Sequence, residues 1–235
     1  MKVLSLKLAL PAVILAIVFF GFALADGTGN AHGLWTHRAY RATRHPPVEA
    51  RAGTLQAKIQ YCSDCHGPSG QGYRGFFPMP RLAGQTTEYF ENQLRAFVER
   101  RRENNIAIVM SKVHGLSPEM QTALAARFTA LNPKPFGDAP IKLVATGKKI
   151  YEEGDPDANV PACSACHGPE AKGSGPIPRL AGQLYPYTLK ELANWSKERG
   201  QDAANPDTSA IMKPIAHSLT KSQIEAVAAY LSYLE

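Results

Sequence analysis

Cys62-Ser63-Asp64-Cys65-His66 and Cys163-Ser164-Ala165-Cys166-His167 are the segments best equipped for chemistry: two thiols one helical turn apart, each pair followed at once by an imidazole. Two intervening residues let one turn of helix present both sulfurs to one edge of a flat ring, and the next histidine then faces the ring's centre. This is the attachment pattern of c-type haem, with two thioether bonds to the vinyl groups and the imidazole on iron. A zinc site built from the four cysteines, or a thiol–disulfide centre at each pair, are the competing readings. Neither explains a histidine directly after both pairs, and a thioredoxin-like centre also needs strands that this sequence lacks. The pattern predicts two haem c groups with their iron, fixed at Cys62, Cys65, Cys163 and Cys166, with His66 and His167 as proximal ligands.

The occupant of the sixth iron position separates an electron carrier from a reactive centre. The methionines are Met1, Met79, Met110, Met120 and Met212. Met212 follows His167 by 45 residues and Met110 follows His66 by 44, whereas Met79 follows by 13 and aligns with Ile177. Met120 falls inside the last helix of its copy and reads as core, so the repeat selects Met110 and Met212. His114 and His217 are the rivals, and a second imidazole on iron would give a low-potential centre. A soft thioether favours ferrous iron, so His/Met ligation predicts a high potential. The carbonyls of Pro80 and Pro178 are the expected acceptors for the proximal imidazoles. Arg81 and Arg179 are candidates for the haem propionates, against a plain surface role. Tyr89 and Tyr187 either reach a propionate or pack. Phe97, Trp195, Leu94 and Leu192 are expected in the cores.

The elements that must hold these residues come as a duplication. The cysteine motif recurs at an offset of 101 residues, and Pro80-Arg81-Leu82-Ala83-Gly84-Gln85 recurs as Pro178-Arg179-Leu180-Ala181-Gly182-Gln183 at an offset of 98. Each copy reads as helical, so the fold class is all-α. In the first, helices are expected over about 50–61, 88–103 and from Pro118 behind a capping Ser117. In the second they are expected over 143–151, 188–199 and 220–234, the last opened by a Thr220/Gln223 capping box. A Gly/Pro-rich loop follows each cysteine motif. The boundary falls near 132–140, giving domains 49–136 and 137–235. Residues 1–25 read as an export signal, basic at the start and ending Ala23-Leu24-Ala25, with an uncleaved membrane anchor as the competing reading. Residues 26–48 read as a flexible extension. The 235 residues are 44% hydrophobic and 20% charged, which excludes collagen-like and many-helix membrane classes. Without Lys2 and Lys7 the formal charge of +6 becomes +4, too small to argue for nucleic acid. Residues 26–138 hold 14 basic against 9 acidic side chains, and 139–235 hold 10 against 11. Arg100-Arg101-Arg102 is expected as a solvated helix end.

The order Cys-Ser-x-Cys-His-Gly-Pro, Pro-Arg-Leu-Ala-Gly-Gln and a distal Met, present twice, with Val160-Pro161-Ala162-Cys163 leading into the second site, resembles the dihaem cytochrome c4 family. The resemblance covers about 53–234. It implies two tandem class I cytochrome c domains related by a pseudo-twofold, with haems close at the interface. It also implies a periplasmic or inner-membrane-associated carrier, with a terminal oxidase, a cytochrome bc-type complex or a periplasmic dehydrogenase as partner. Two departures stand out: the long segment 26–48, and a Met110–Leu116 interval one residue shorter than Met212–Leu219. The leading expectation is an electron shuttle with no acid, base or nucleophile. The alternative is the dihaem electron-accepting subunit of a flavocytochrome c type dehydrogenase. A dihaem peroxidase would require one accessible iron.

Overall fold

Apolar residues spaced three and four apart form the faces on which each domain closes. In the computed structural model, the described residues are 53–102, 110, 113, 115–199 and 209–235. The first domain has α1 (Leu55–His66), α2 (Thr87–Val98) and α3 (Pro118–Thr129). Phe90, Leu94 and Phe97 of α2 meet Leu124, Ala125 and Phe128 of α3, with the Phe90 and Phe128 rings stacked at 5.7 Å. Thr54, Thr86 and Ser117 cap these helices through side-chain oxygens that accept backbone N–H groups of the first turn.

The second domain has α4 (Val144–Glu153), α5 (Ser164–His167), α6 (Tyr185–Ala193), α7 (Trp195–Glu198), α8 (Ser209–Ser218) and α9 (Lys221–Tyr233). Short 3-10 turns at Ile141–Leu143 and Pro156–Ala158 flank α4. Helix α9 is buried against α4 and α6, and its Ile224, Val227 and Leu231 form a core with Ile150 and Tyr151. Gly147 allows this contact: a Cβ there would lie 1.9 Å from the Ala226 carbonyl oxygen. The expected Thr220/Gln223 capping box is present.

Several helix limits differ from expectation for local reasons. Helix α1 runs on through both cysteines, because nothing breaks it before Gly67, whose φ is 82°. Helix α2 ends at Val98 rather than continuing to 103; Arg100 turns to φ 57°, and the N–H groups of Arg101 and Arg102 both return to the Ala96 carbonyl. The expected 188–199 helix is two pieces split at Asn194, whose side-chain amide donates to the Lys190 carbonyl at 2.9 Å. Helix α8 was not expected, since Pro214 in its interior hides it.

Among the described residues there are isolated bridges but no strand. Tyr73 pairs with Met79, and Ser174 with Ile177. Between them lie five residues, 74–78, in the first domain and only Gly175-Pro176 in the second, which locates the step in repeat offset from 101 to 98. The longer tip carries Phe76, 93% exposed, edge-on to Phe77. All described residues belong to one unit, Pro46–Glu235, and among them no helix is long and apolar enough to cross a membrane. The expectations for 1–25, 26–48 and His114 lie outside the described residues.

Candidate metal centre

Cys62 and Cys65 sit three apart on α1, so one helix face carries both thiols, and His66 closes the helix beside them. In the second domain Cys163 starts the short α5, which holds Cys166 and His167. All four cysteines are free thiols. Burial pushes the Cys62 and Cys163 thiols up to about 11, so both are neutral. No three His, Cys, Asp or Glu side chains among the described residues converge on a metal-sized point, which leaves the four cysteines without a shared tetrahedral site.

Both imidazoles are buried and oriented alike. His66 Nδ1 lies 2.8 Å from the Pro80 carbonyl oxygen and His167 Nδ1 3.0 Å from that of Pro178. A carbonyl only accepts, so each Nδ1 carries the hydrogen and each Nε2 keeps a lone pair. Burial lowers the pKa of both rings and so favours their neutral form, while the hydrogen bond to the proline carbonyl works the other way. The loops are returned to these histidines by Gly72 and Gly173, whose N–H groups donate to the His66 and His167 carbonyls at 2.8 and 2.9 Å.

A c-type haem fits this donor set. Each domain offers two thiols on one helical turn, and a neutral imidazole whose free nitrogen has been fixed by the bond at the other. Met110 packs half-buried against the first core, and Met212 is half-buried on α8. Met120 also packs on the first core. His217 is exposed on α8, and its Nε2 is hydrogen-bonded to the Ser196 hydroxyl.

The remaining candidates lie at the interface between the domains. Arg81 and Arg179 are 4% and 7% exposed, so neither is a surface residue. Arg81 donates through Nε to the Ala83 carbonyl, through Nη1 to the Pro133 carbonyl at 2.8 Å and through Nη2 to Asn132 Oδ1. Arg179 donates through Nε to the Ala181 carbonyl at 3.0 Å, while its Nη2 has no acceptor among the described residues. Each guanidinium lies against the other domain's glycine, Arg179 at Gly84 and Arg81 at Gly182, which also have φ of 70° and 69°. The Tyr89 hydroxyl accepts from Arg199 at 2.8 Å and the Tyr187 hydroxyl from Arg102 at 3.0 Å.

Residues that sequence reasoning passed over complete this interface. Gln85 Nε2 donates to the Arg179 carbonyl at 3.1 Å and its Oε1 accepts the Arg179 N–H at 2.6 Å. Gln183 does the same with Arg81, at 3.1 and 2.8 Å. Their recurrence as the last residue of the Pro-Arg-Leu-Ala-Gly-Gln segment was the available signal. The expectation of a solvated Arg100-Arg101-Arg102 is corrected at Arg102. Its side chain is only 11% exposed and reaches Tyr187 and Glu191 across the interface.

The sequence profile described as cytochrome c matches twice, over residues 52–133 and 144–235. Cytochrome c4 of Thiocapsa roseopersicina is 35% identical over 190 residues, 79% of this chain and 93% of that protein. A thiosulfate dehydrogenase electron acceptor of Thiomonas intermedia (strain K12) is 34% identical over 176 residues, 73% of this chain and 77% of that protein. The structure of Acidithiobacillus ferrooxidans cytochrome c4 superposes with a TM-score of 0.63 at 33% identity, covering 74% of this chain and 99% of that one.

Proposed function

We propose that this chain, which belongs to the cytochrome c family in its dihaem cytochrome c4 branch, holds its two irons between His66 and Met110 and between His167 and Met212. It is a dihaem electron-transfer protein, and the ligand set is what gives that role its chemistry. The observation that carries the proposal is the matched pair of imidazoles, each with Nδ1–H committed to a proline carbonyl and Nε2 left free beside two thiols. When bound, the haem supplies a reversible one-electron ferric/ferrous couple. The Pro80 and Pro178 carbonyls fix each imidazole plane and make Nε2 a better donor. The Met110 and Met212 thioethers favour the ferrous state and raise the potential. His217, exposed and engaged with Ser196, supports Met212 over an imidazole on that side. With His66, Met110, His167 and Met212 holding the irons, the chain would supply no acid, base or nucleophile, and the protein would be a carrier rather than an enzyme.

The measurement that tests the ligand set is the near-infrared thioether-to-ferric-iron absorption of the oxidised protein. The band has an intensity fitting two haems, and Met110→Ala and Met212→Ala each remove half of it. Full intensity in either variant, or carbon monoxide binding readily to the unaltered protein, overturns the assignment.

In cellular terms the protein is an exported, high-potential shuttle in the periplasm, feeding a terminal oxidase. A second reading, an electron-accepting subunit of a periplasmic dehydrogenase, is favoured by the likeness to a thiosulfate dehydrogenase electron acceptor. Isolation as a free dihaem monomer supports the shuttle, and stable copurification with a dehydrogenase supports the subunit.

A further inference from the structure

The domain interface contains a charged cluster in which the repeat is broken at one informative position. Arg102 lies 4.6 Å above the Phe97 ring and Arg199 lies 4.9 Å above the Trp195 ring, so the two arginines are counterparts. Tyr89 and Tyr187 are counterparts as well, each accepting from the other domain's arginine. The fourth pair is unequal: Gln93 in the first domain stands opposite Glu191 in the second. Gln93 Oε1 lies 2.8 Å from Arg102 Nη1 and 3.5 Å from Arg199 Nη1. Glu191 Oε2 lies 2.6 Å from Arg199 Nε and 3.4 Å from Arg102 Nη2. A neutral amide therefore serves the first domain's arginine, and the carboxylate serves the second's.

Arg199 and Arg102 share the one buried carboxylate, whose other oxygen lies 3.8 Å from the more exposed Lys190, so positive charge is in surplus. The distances leave Arg102 the less closely paired of the two arginines. The two arginines and Glu191 are at most 11% exposed, so water and salt screen them weakly. Arg102 stands over Phe97, a member of the first domain's core on which Cys62 and Met110 pack, whereas Arg199 stands over Trp195 in the second domain. Reduction adds an electron, and a nearby uncompensated cation favours it by simple Coulomb attraction.

We propose that Glu191 biases the electron toward the first domain, because it neutralises Arg199 and leaves Arg102 as the surplus cation of the cluster. Glu191 is a positioning residue for charge: it touches no reacting atom and acts through the two arginines. The proposal rests on the ligand reading above, with one haem iron in each domain.

The deciding experiment is a redox titration followed by NMR of the haem methyl groups, which reports the reduced fraction of each haem separately. Gln93→Glu combined with Glu191→Gln moves the acid across the interface while keeping the cluster's composition and net charge. This swap is expected to lower the ratio of reduced first haem to reduced second haem several-fold at half-reduction. Gln93→Glu alone lowers the ratio by depleting the first haem, and Glu191→Gln alone lowers it by filling the second. Should Glu191→Gln fail to fold, the swap and Gln93→Glu still decide. Ratios equal to that of the unaltered protein in the folded, two-haem variants overturn the proposal. A missing near-infrared band in the unaltered protein would overturn the ligand set instead, and the ratio would still report on Glu191.

Discussion

Burial alone would keep the Glu191 carboxyl protonated at mildly acidic pH; Arg199 and Arg102 outweigh that and hold it down to about 2. Because its folded pKa lies below the ordinary value of 4.5, the ionised group stabilises the fold above about pH 4.5. That contribution is lost as pH falls toward 2. Glu191→Gln is expected to cost about 3 kcal/mol at neutral pH, since it leaves two buried arginines without their anion. Its stability should also fall less steeply than that of the unaltered protein between pH 4.5 and 2, as measured by thermal melting across that range. Glu191 was visible in the sequence only as a mismatch with Gln93. Nothing in the order of residues says that the two positions meet across an interface. The same holds for Arg102, which follows two other arginines and looks like a solvated helix end until its partners are known. The two Cys-x-x-Cys-His segments, by contrast, stand out in the sequence at once, because the covalent attachment proposed for them demands a fixed local spacing.

At the level of elements, the contact between α4 and α9 depends on the missing side chain of Gly147. Gly147→Ala is expected to push the helices apart and cost about 1–3 kcal/mol, because the obstructing atoms are Ala226 backbone rather than a movable side chain. Gly115→Ala is the control: among the described residues nothing beyond its chain neighbours lies within 4 Å of a Cβ there, so its melting temperature should change little. Differential scanning calorimetry distinguishes the two. Helices with strong caps were readable from sequence, as Ser117 and the Thr220/Gln223 box demonstrate. Helix α8 was not, since Pro214 normally ends a helix and here sits inside one. The break at Asn194 was equally hidden, because it depends on a side-chain amide winning a carbonyl from the helix backbone.

For the molecule as a whole, the duplication and the all-α class follow from the repeated motifs, whereas the way the halves join does not. Gln85 and Gln183 each satisfy both backbone groups of one residue in the other domain. Gln183→Ala is expected to leave the buried Arg81 N–H and carbonyl without partners, at about 1–3 kcal/mol each. Calorimetry is expected to show one coupled transition for the unaltered protein and two for this variant. Since Arg81 and Gln85 belong to the same domain, that half already contains both the giving and the receiving parts of the exchange. A severed first half is therefore self-complementary, and two such fragments have the chemistry for an isologous dimer across a true twofold. Such a dimer would bring together two copies of Arg102 with only neutral Gln93 beside them. The lone carboxylate of the second half thus makes the natural pairing of unlike halves better matched in charge than a pairing of identical ones.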